Sequence, residues 1–206
     1  MDDDHAIALL KSGDLSGLEP LIERYSLRAL RTSVLIVQDA ELAEDVVQQA
    51  FLDAAAKIRQ LNSDRFGGWF LTIVVRSAIK AAKKQARLIS LEEDEDGQIR
   101  RLGEWLIDNR PSPEEVVVSA QFREDVWKAL AQLPPELRAA VTMRYYLEMS
   151  EIDITRATGS PLSTIKWRLY AARQKLRGLL HASKGDAADA PGGGQRLDGK
   201  EGSKNE

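Results

Sequence analysis

The side chains with the most obvious chemical potential are the carboxylates of residues 40–59. Glu41, Glu44, Asp45 and Asp53 stand on a segment whose first cation is Lys57. Paired carboxylates can hold a divalent metal for phosphoryl transfer, and Glu41 and Asp45 share a helix face at i, i+4. That chemistry needs further parts, such as a histidine, a glycine-rich phosphate loop or a partner acidic strand, and none accompanies them. Acids early in a helix also favour its dipole, which accounts for part of the pattern without any function. His5 has no second histidine at ligand spacing. Cysteine is absent, which excludes disulfides, thiolate catalysis and cysteine-ligated zinc. No catalytic set, metal site or cofactor is expected.

The cations carry a second kind of chemistry. The formal net charge of the 206 residues is −3, but it is unevenly spread. Arg65–Leu91 contains six basic residues and no acid, and Thr155–Gly185 contains seven and no acid. Between them, Glu92–Asp125 has eleven acids against four arginines. Two basic modules joined by an acidic connector have the electrostatic pattern of nucleic-acid binding, which the overall charge conceals.

These groups need helices to position them. Ile7–Ser12 and Leu15–Ser26 read as helices broken at Gly13-Asp14, with Leu18, Leu21, Ile22 and Tyr25 as a core stripe; Arg28–Val37 follows as a buried helix. Ala40–Arg59 buries Val46, Val47, Ala50, Phe51 and Ala54. Leu61–Arg65 is a polar loop. Phe66–Arg87 carries an apolar pattern through Trp69, Phe70, Ile73 and Val74, with Arg76, Lys80, Lys83, Lys84 and Arg87 as a basic track. Leu91–Pro113 is too charged to build a core, Trp105-Leu106-Ile107 being a small apolar island within it. Pro113 opens a helix through Val117, Phe122, Val126, Leu130 and Leu133, and Pro135–Leu147 another. From Ser183 the chain is glycine-rich and reads as a disordered tail.

Ser150–Arg177 has the most specific pattern. Ser150 and Asp153 form a variant capping box, and Gly159 and Pro161 break the helix that follows. Ser163 reads as a second N-cap. Ile165, Leu169, Ala172, Leu176 and Leu179 are spaced as one buried stripe, with Lys166, Arg168, Arg173, Lys175 and Arg177 on other faces. A short helix, a glycine turn and a longer basic helix make a helix-turn-helix whose second helix can lie in a DNA major groove. A surface helical hairpin with solvated lysines has the same spacing.

The run Gly159–Leu169 with Ala172–Arg177 behind it resembles the promoter-reading helix-turn-helix of bacterial sigma factors, region four of the extracytoplasmic-function (ECF) group. Upstream, Asp39-Ala40-Glu41 and Ala43–Phe51 resemble the region-two helix of the same family. Two motifs in the family's order cover roughly residues 10–180. The resemblance implies an all-α fold of two small helical domains joined by a flexible acidic linker. Region two is placed at 1–90, the linker at 91–112, region four at 113–182 and the tail at 183–206.

The resemblance also implies a function without catalysis: binding core RNA polymerase and directing it to promoters. Glu44, Asp45, Gln48 and Gln49 match the motif that docks on the β′ clamp helices, and region four implies contact with the β flap. Arg65, Trp69, Arg76, Lys80, Lys83 and Lys84 fall where the family engages and melts the −10 element, and a basic track with aromatic neighbours suits single-stranded DNA. Trp69 reads equally well as a core residue. Thr164, Lys166, Trp167, Arg168 and Arg173 are implied contacts to the −35 element. An anti-sigma factor is a further partner that the family admits. The chain departs from the family at Gly67-Gly68, at Arg76 (often asparagine) and at Trp167 (often serine). The rival reading is a helix-turn-helix regulator that works without polymerase. An acidic start and no apolar run of spanning length point to a cytoplasmic protein without membrane insertion.

Overall fold

The structure, a computed structural model, describes residues 1–61, 65–89 and 113–188, with side chains at 1–61, 65–88 and 122–181. Among these residues every regular element is helical. The eight α-helices are α1 (Asp3–Ser12), α2 (Leu18–Val37), α3 (Ala40–Lys57), α4 (Phe66–Ile89), α5 (Pro113–Ala131), α6 (Pro135–Val141), α7 (Glu151–Thr158) and α8 (Leu162–Ala188). Asn62–Asp64, the acidic connector with Trp105-Leu106-Ile107, and the tail beyond Ala188 lie outside the described residues.

Local chemistry sets the helix ends. Asp2 accepts from the His5 amide at 2.9 Å and starts α1, and Asp39 accepts from the Leu42 amide at 3.0 Å and starts α3. Ser150 caps α7 as the sequence predicts, accepting from the Asp153 amide at 3.1 Å while its hydroxyl donates to the Asp153 carboxylate at 2.5 Å. Gly159 ends α7 at φ 71°, a left-handed conformation that glycine adopts without strain.

Several expectations are corrected. Leu18–Val37 is one continuous helix, and Ile22 is 38% exposed because the inward stripe runs through Leu21 and Tyr25. Phe122 is exposed, and Trp127 fills the core position on α5. Ser163 is not a cap: α8 starts at Leu162, and the Ile165 amide donates to the Pro161 carbonyl at 3.1 Å. The backbone of α8 continues to Ala188, past the predicted start of the tail at Ser183. After α6 the chain widens into a π-turn over Thr142–Tyr146, with the Leu147 amide donating to the Thr142 carbonyl at 3.0 Å.

Three apolar clusters hold the helices. The first joins α1, α2, α3 and the start of α4 around Leu21, Phe51, Phe66 and Phe70, the Phe51 and Phe70 rings lying 4.3 Å apart. The second joins Leu71, Val75, Ala78 and Ala82 of α4 to Ala139 and Ala140 of α6, Met143, Ile154 and Ala157 of α7, and Ile165 and Leu169 of α8. The third packs Val34 and Leu35 of α2 on Trp127, Leu130, Leu133, Leu137 and Ala172. Residues 32–37 of α2 are buried on every face because they serve two clusters, Ile36 and Val37 the second and Val34 and Leu35 the third.

Gly67 has a definite physical reason. A Cβ there would lie 2.6 Å from the Tyr25 ring, which packs 5.3 Å from Phe66 and whose hydroxyl donates to the Asp3 carboxylate. Burial and that carboxylate raise the phenol to about 12. The ring therefore cannot swing aside freely. A Cβ at Gly68 would meet nothing. Gly67→Ala should lower stability by about 1–3 kcal/mol through overpacking. Gly68→Ala should raise it by up to about 1 kcal/mol through helix propensity. Urea denaturation of the two variants checks the opposite signs.

Candidate polymerase and DNA interfaces

On α3 the inward stripe of Ala43, Val46, Val47, Ala50, Phe51 and Ala54 turns Glu44, Asp45, Gln48 and Gln49 to solvent. All four predicted polymerase residues thus share one exposed polar face. Gln49 donates to Asp53 at 3.0 Å, and Lys57 lies 3.4 Å from the same carboxylate. The Gln49 bond is the main reason the Asp53 carboxyl sits below its ordinary value, with Lys57 and Lys80 adding to it. Among the described residues no group of acids, histidines or cysteines is arranged to hold a metal.

A groove runs between α3 and α4, and its walls include Asp45, Gln49, Asp53, Lys80, Lys84 and Leu88. It brings predicted polymerase residues opposite predicted −10 residues. Gln85 crosses nearby to the N-cap of α3, donating to Asp39 at 3.1 Å. Arg65, Lys80, Lys83 and Lys84 are exposed. Trp69 is partly buried against the first cluster, its ring 5.9 Å from Phe66, so the core reading accounts for much of it.

Two of the predicted −10 residues have partners that the sequence does not announce. Arg76 Nε donates to the Ala157 carbonyl at 2.5 Å and its Nη2 to the Arg156 carbonyl at 3.2 Å, both in the last turn of α7. Lys83 Nζ lies 2.5 Å from Glu136 Oε1 at the start of α6. Burial pushes the Glu136 carboxyl up, but the Lys83 hydrogen bond, the local backbone and the Lys83 and Arg168 charges outweigh it and hold it below its ordinary value. Sequence reasoning missed Glu136. Its one distinguishing mark is an acid in the first turn of a helix flanked by basic modules.

On α8 the predicted stripe points inward: Ile165, Leu169 and Ala172 are buried, and Leu176 and Leu179 are partly covered. Lys166, Trp167 and Arg173 are exposed, Trp167 at 63%, and Thr164 is half-buried. Arg168 is half-buried and donates to the Ser160 hydroxyl at 3.1 Å, which fixes its guanidinium beside the turn. Ala171, one turn on, faces the third cluster rather than the groove side. Buried Arg138 donates to the Ala131 carbonyl at 3.3 Å; burial lowers its guanidinium to about 10.

No helix of the described residues is long and apolar enough to cross a membrane. Residues 21–88 match the family model for sigma-70 region 2, and residues 123–176 match that for sigma-70 region 4. The chain is 29% identical over 182 residues to the RNA polymerase sigma-H factor of Pseudomonas aeruginosa, covering 84% of this chain and 91% of that protein. It is 24% identical to the ECF RNA polymerase sigma factor SigW of Bacillus subtilis (84% and 94% covered) and 26% identical to the ECF RNA polymerase sigma-E factor of Escherichia coli (85% and 93% covered). A solved structure of the sigma factor RpoE in complex with the anti-sigma factor NepR from Bartonella quintana has the same fold, with a TM-score of 0.53 at 24% identity over 75% of this chain and 91% of that one. Both regions occur in the family's order, which sets aside a polymerase-independent regulator. The chain belongs to the sigma-70 family and is an ECF sigma factor, a protein that binds core RNA polymerase and directs it to promoters.

Proposed function

We propose that residues 1–90 act as the unit that binds core polymerase and melts the −10 element, and residues 113–182 as the unit that reads the −35 element. Residues 91–112 join them. The observation that carries the reading is the sorting of side chains on α3 and α8. On both helices the apolar stripe is buried or partly covered, and the family's contact positions are exposed on α3 and exposed or half-buried on α8.

Glu44, Asp45, Gln48 and Gln49 dock on the β′ clamp helices, and region four also meets the β flap. Arg65, Trp69, Arg76, Lys80, Lys83 and Lys84 attend the −10 DNA, where cations follow the backbone and the aromatic ring stacks. Thr164, Lys166, Trp167, Arg168 and Arg173 attend the −35 DNA. The protein works in the cytoplasm, without catalytic residues or a cofactor, and an anti-sigma factor is among its partners. The exposed polar and basic faces support this division.

Alanine at both Asp45 and Gln48 should weaken core binding by about 2 kcal/mol, roughly thirtyfold, because a few interface residues dominate the energy. Fluorescence-detected binding to core polymerase reads this, with the helical circular dichroism signal unchanged. Normal binding by the double variant would move the interface elsewhere.

On α8, Arg168 is the candidate for a guanine edge, since its fork can bond bidentately and the Ser160 bond pre-orients it. Lys166 is exposed and suits a phosphate. Arg168→Ala should cost about 1–3 kcal/mol and relax specificity at one base pair, whereas Lys166→Ala should weaken all sequences alike and lower the salt slope by about one. Promoter-library transcription and salt titrations separate the two. Equal, sequence-blind losses would make α8 a general phosphate binder.

A further inference from the structure

The outward side of α8 carries two large aromatic rings, Trp167 at 63% exposure and Tyr170 at 58%. Ile165, Leu169 and Ala172 face the core, and at about 100° per residue Trp167 and Tyr170 come round to the far side of the helix. Residues three apart on a helix are neighbours, so the two rings form one patch rather than two scattered ones. Leaving both in water forgoes the stabilisation that burial gives an aromatic side chain, which marks the patch as a contact surface.

The charges around the patch say what it contacts. Lys166, Arg173 and Arg177 run along one flank, and Arg168 and Lys175 along the other. No acid occurs between Asp153 and Asp186. An apolar strip with cations on both edges is complementary to a partner that is anionic on both edges and has apolar groups between them. The DNA major groove has that layout, with phosphates along its two rims and base edges on a floor about 12 Å wide. On that floor the one apolar group is the C5 methyl of thymine. The indole N–H and the phenol could also donate there, but the acceptors they would meet occur on every base pair and single out none.

We propose that Trp167 and Tyr170 are a thymine-reading pair, their rings packing on the C5 methyl groups of neighbouring thymines in the −35 element while the flanking cations hold the two phosphate rims. The step from Trp167 to Tyr170 is about 4.5 Å along the helix, against about 3.4 Å per base pair, so the two rings serve adjacent positions. Arg168, fixed by its bond to Ser160, is left to a guanine at another position. The pair rests on the reading of α8 as the −35 helix and adds the base that the helix selects.

The test uses core polymerase loaded with the full-length chain. A promoter library first yields the selected −35 element, and each thymine in it is then replaced singly by deoxyuridine, which removes the methyl and keeps the base pair. At one or two adjacent positions this should weaken promoter binding about three- to fivefold at fixed salt, the worth of one buried methyl group. Trp167→Ser should erase the penalty at one position and Tyr170→Ala at its neighbour, while Trp167→Phe should keep part of it. At the same positions 5-methylcytosine should bind better than cytosine in the wild type and no better in the matching variant. A selected element without thymine, or with none that responds to deoxyuridine, would overturn the pair and leave −35 reading by α8 standing. Penalties that survive both substitutions would overturn it too, by assigning the methyl contact to other side chains. Weaker core binding by the folded variants with an unchanged base preference would give the rings to a protein contact instead. If the library shows no −35 selection at all, the reading of α8 falls and the pair falls with it.

Discussion

The structure depends on one helix having two apolar faces. Phe66, Phe70 and Val74 of α4 enter the aromatic cluster beneath α1, α2 and α3, while Leu71, Val75, Ala78 and Ala82 enter the cluster with α6, α7 and α8. A helix with a single stripe would complete region two and leave region four to a separate fate. With two, the same 24 residues are the floor of one unit and the wall of the other. Each large side chain withdrawn from water contributes about 1.5–3 kcal/mol, so even this short second stripe is a substantial coupling. The small residues on it, Ala78 and Ala82 against Ala139, Ala140 and Ala157, let the backbones approach closely enough for a guanidinium to reach a neighbouring helix end.

Charge is distributed around that frame by the same geometry. Because α3 and α4 bury their apolar residues against each other, their polar residues line the two walls of one groove, acids and amides on one side and lysines on the other. The protein can thus be acidic overall and still present cations to DNA, since the opposing signs sit on different walls. Glu136 is the exception to this separation. It stands within reach of Lys83 and of the Arg168 charge, and so links the electrostatics of α4 and α8.

Much of this was readable in the residues, and the failures share a cause. Capping by Ser150, the Gly159 turn and the Ile165, Leu169, Ala172 stripe are local, with each cause lying within a few residues of its effect. The exposed face of Glu44, Asp45, Gln48 and Gln49 follows from the apolar spacing of α3 alone. By contrast, Gly67 is explained by Tyr25, Arg76 by Ala157 and Lys83 by Glu136, pairs far apart in sequence. In a basic track the five cations look alike until the fold sets Arg76 against Ala157 and Lys83 against Glu136. Ile22 and Phe122 failed in a simpler way. Periodicity marks them as apolar, but only the placement of neighbouring helices decides which side of a wide stripe is covered.

The shared core also sets a timetable for synthesis. Arg76 and its Ala157 partner are 81 residues apart in the chain. At about 5–20 residues per second, α4 leaves the ribosome roughly 4–16 seconds before the surface that covers its second stripe exists. During that interval the nascent chain shows water an apolar strip with no partner. Two of its four residues are alanines, and Arg76, Lys80, Lys83 and Lys84 interrupt it with like charges that repel a second nascent copy. The basic track of α4 thus keeps the unfinished protein apart from its neighbours.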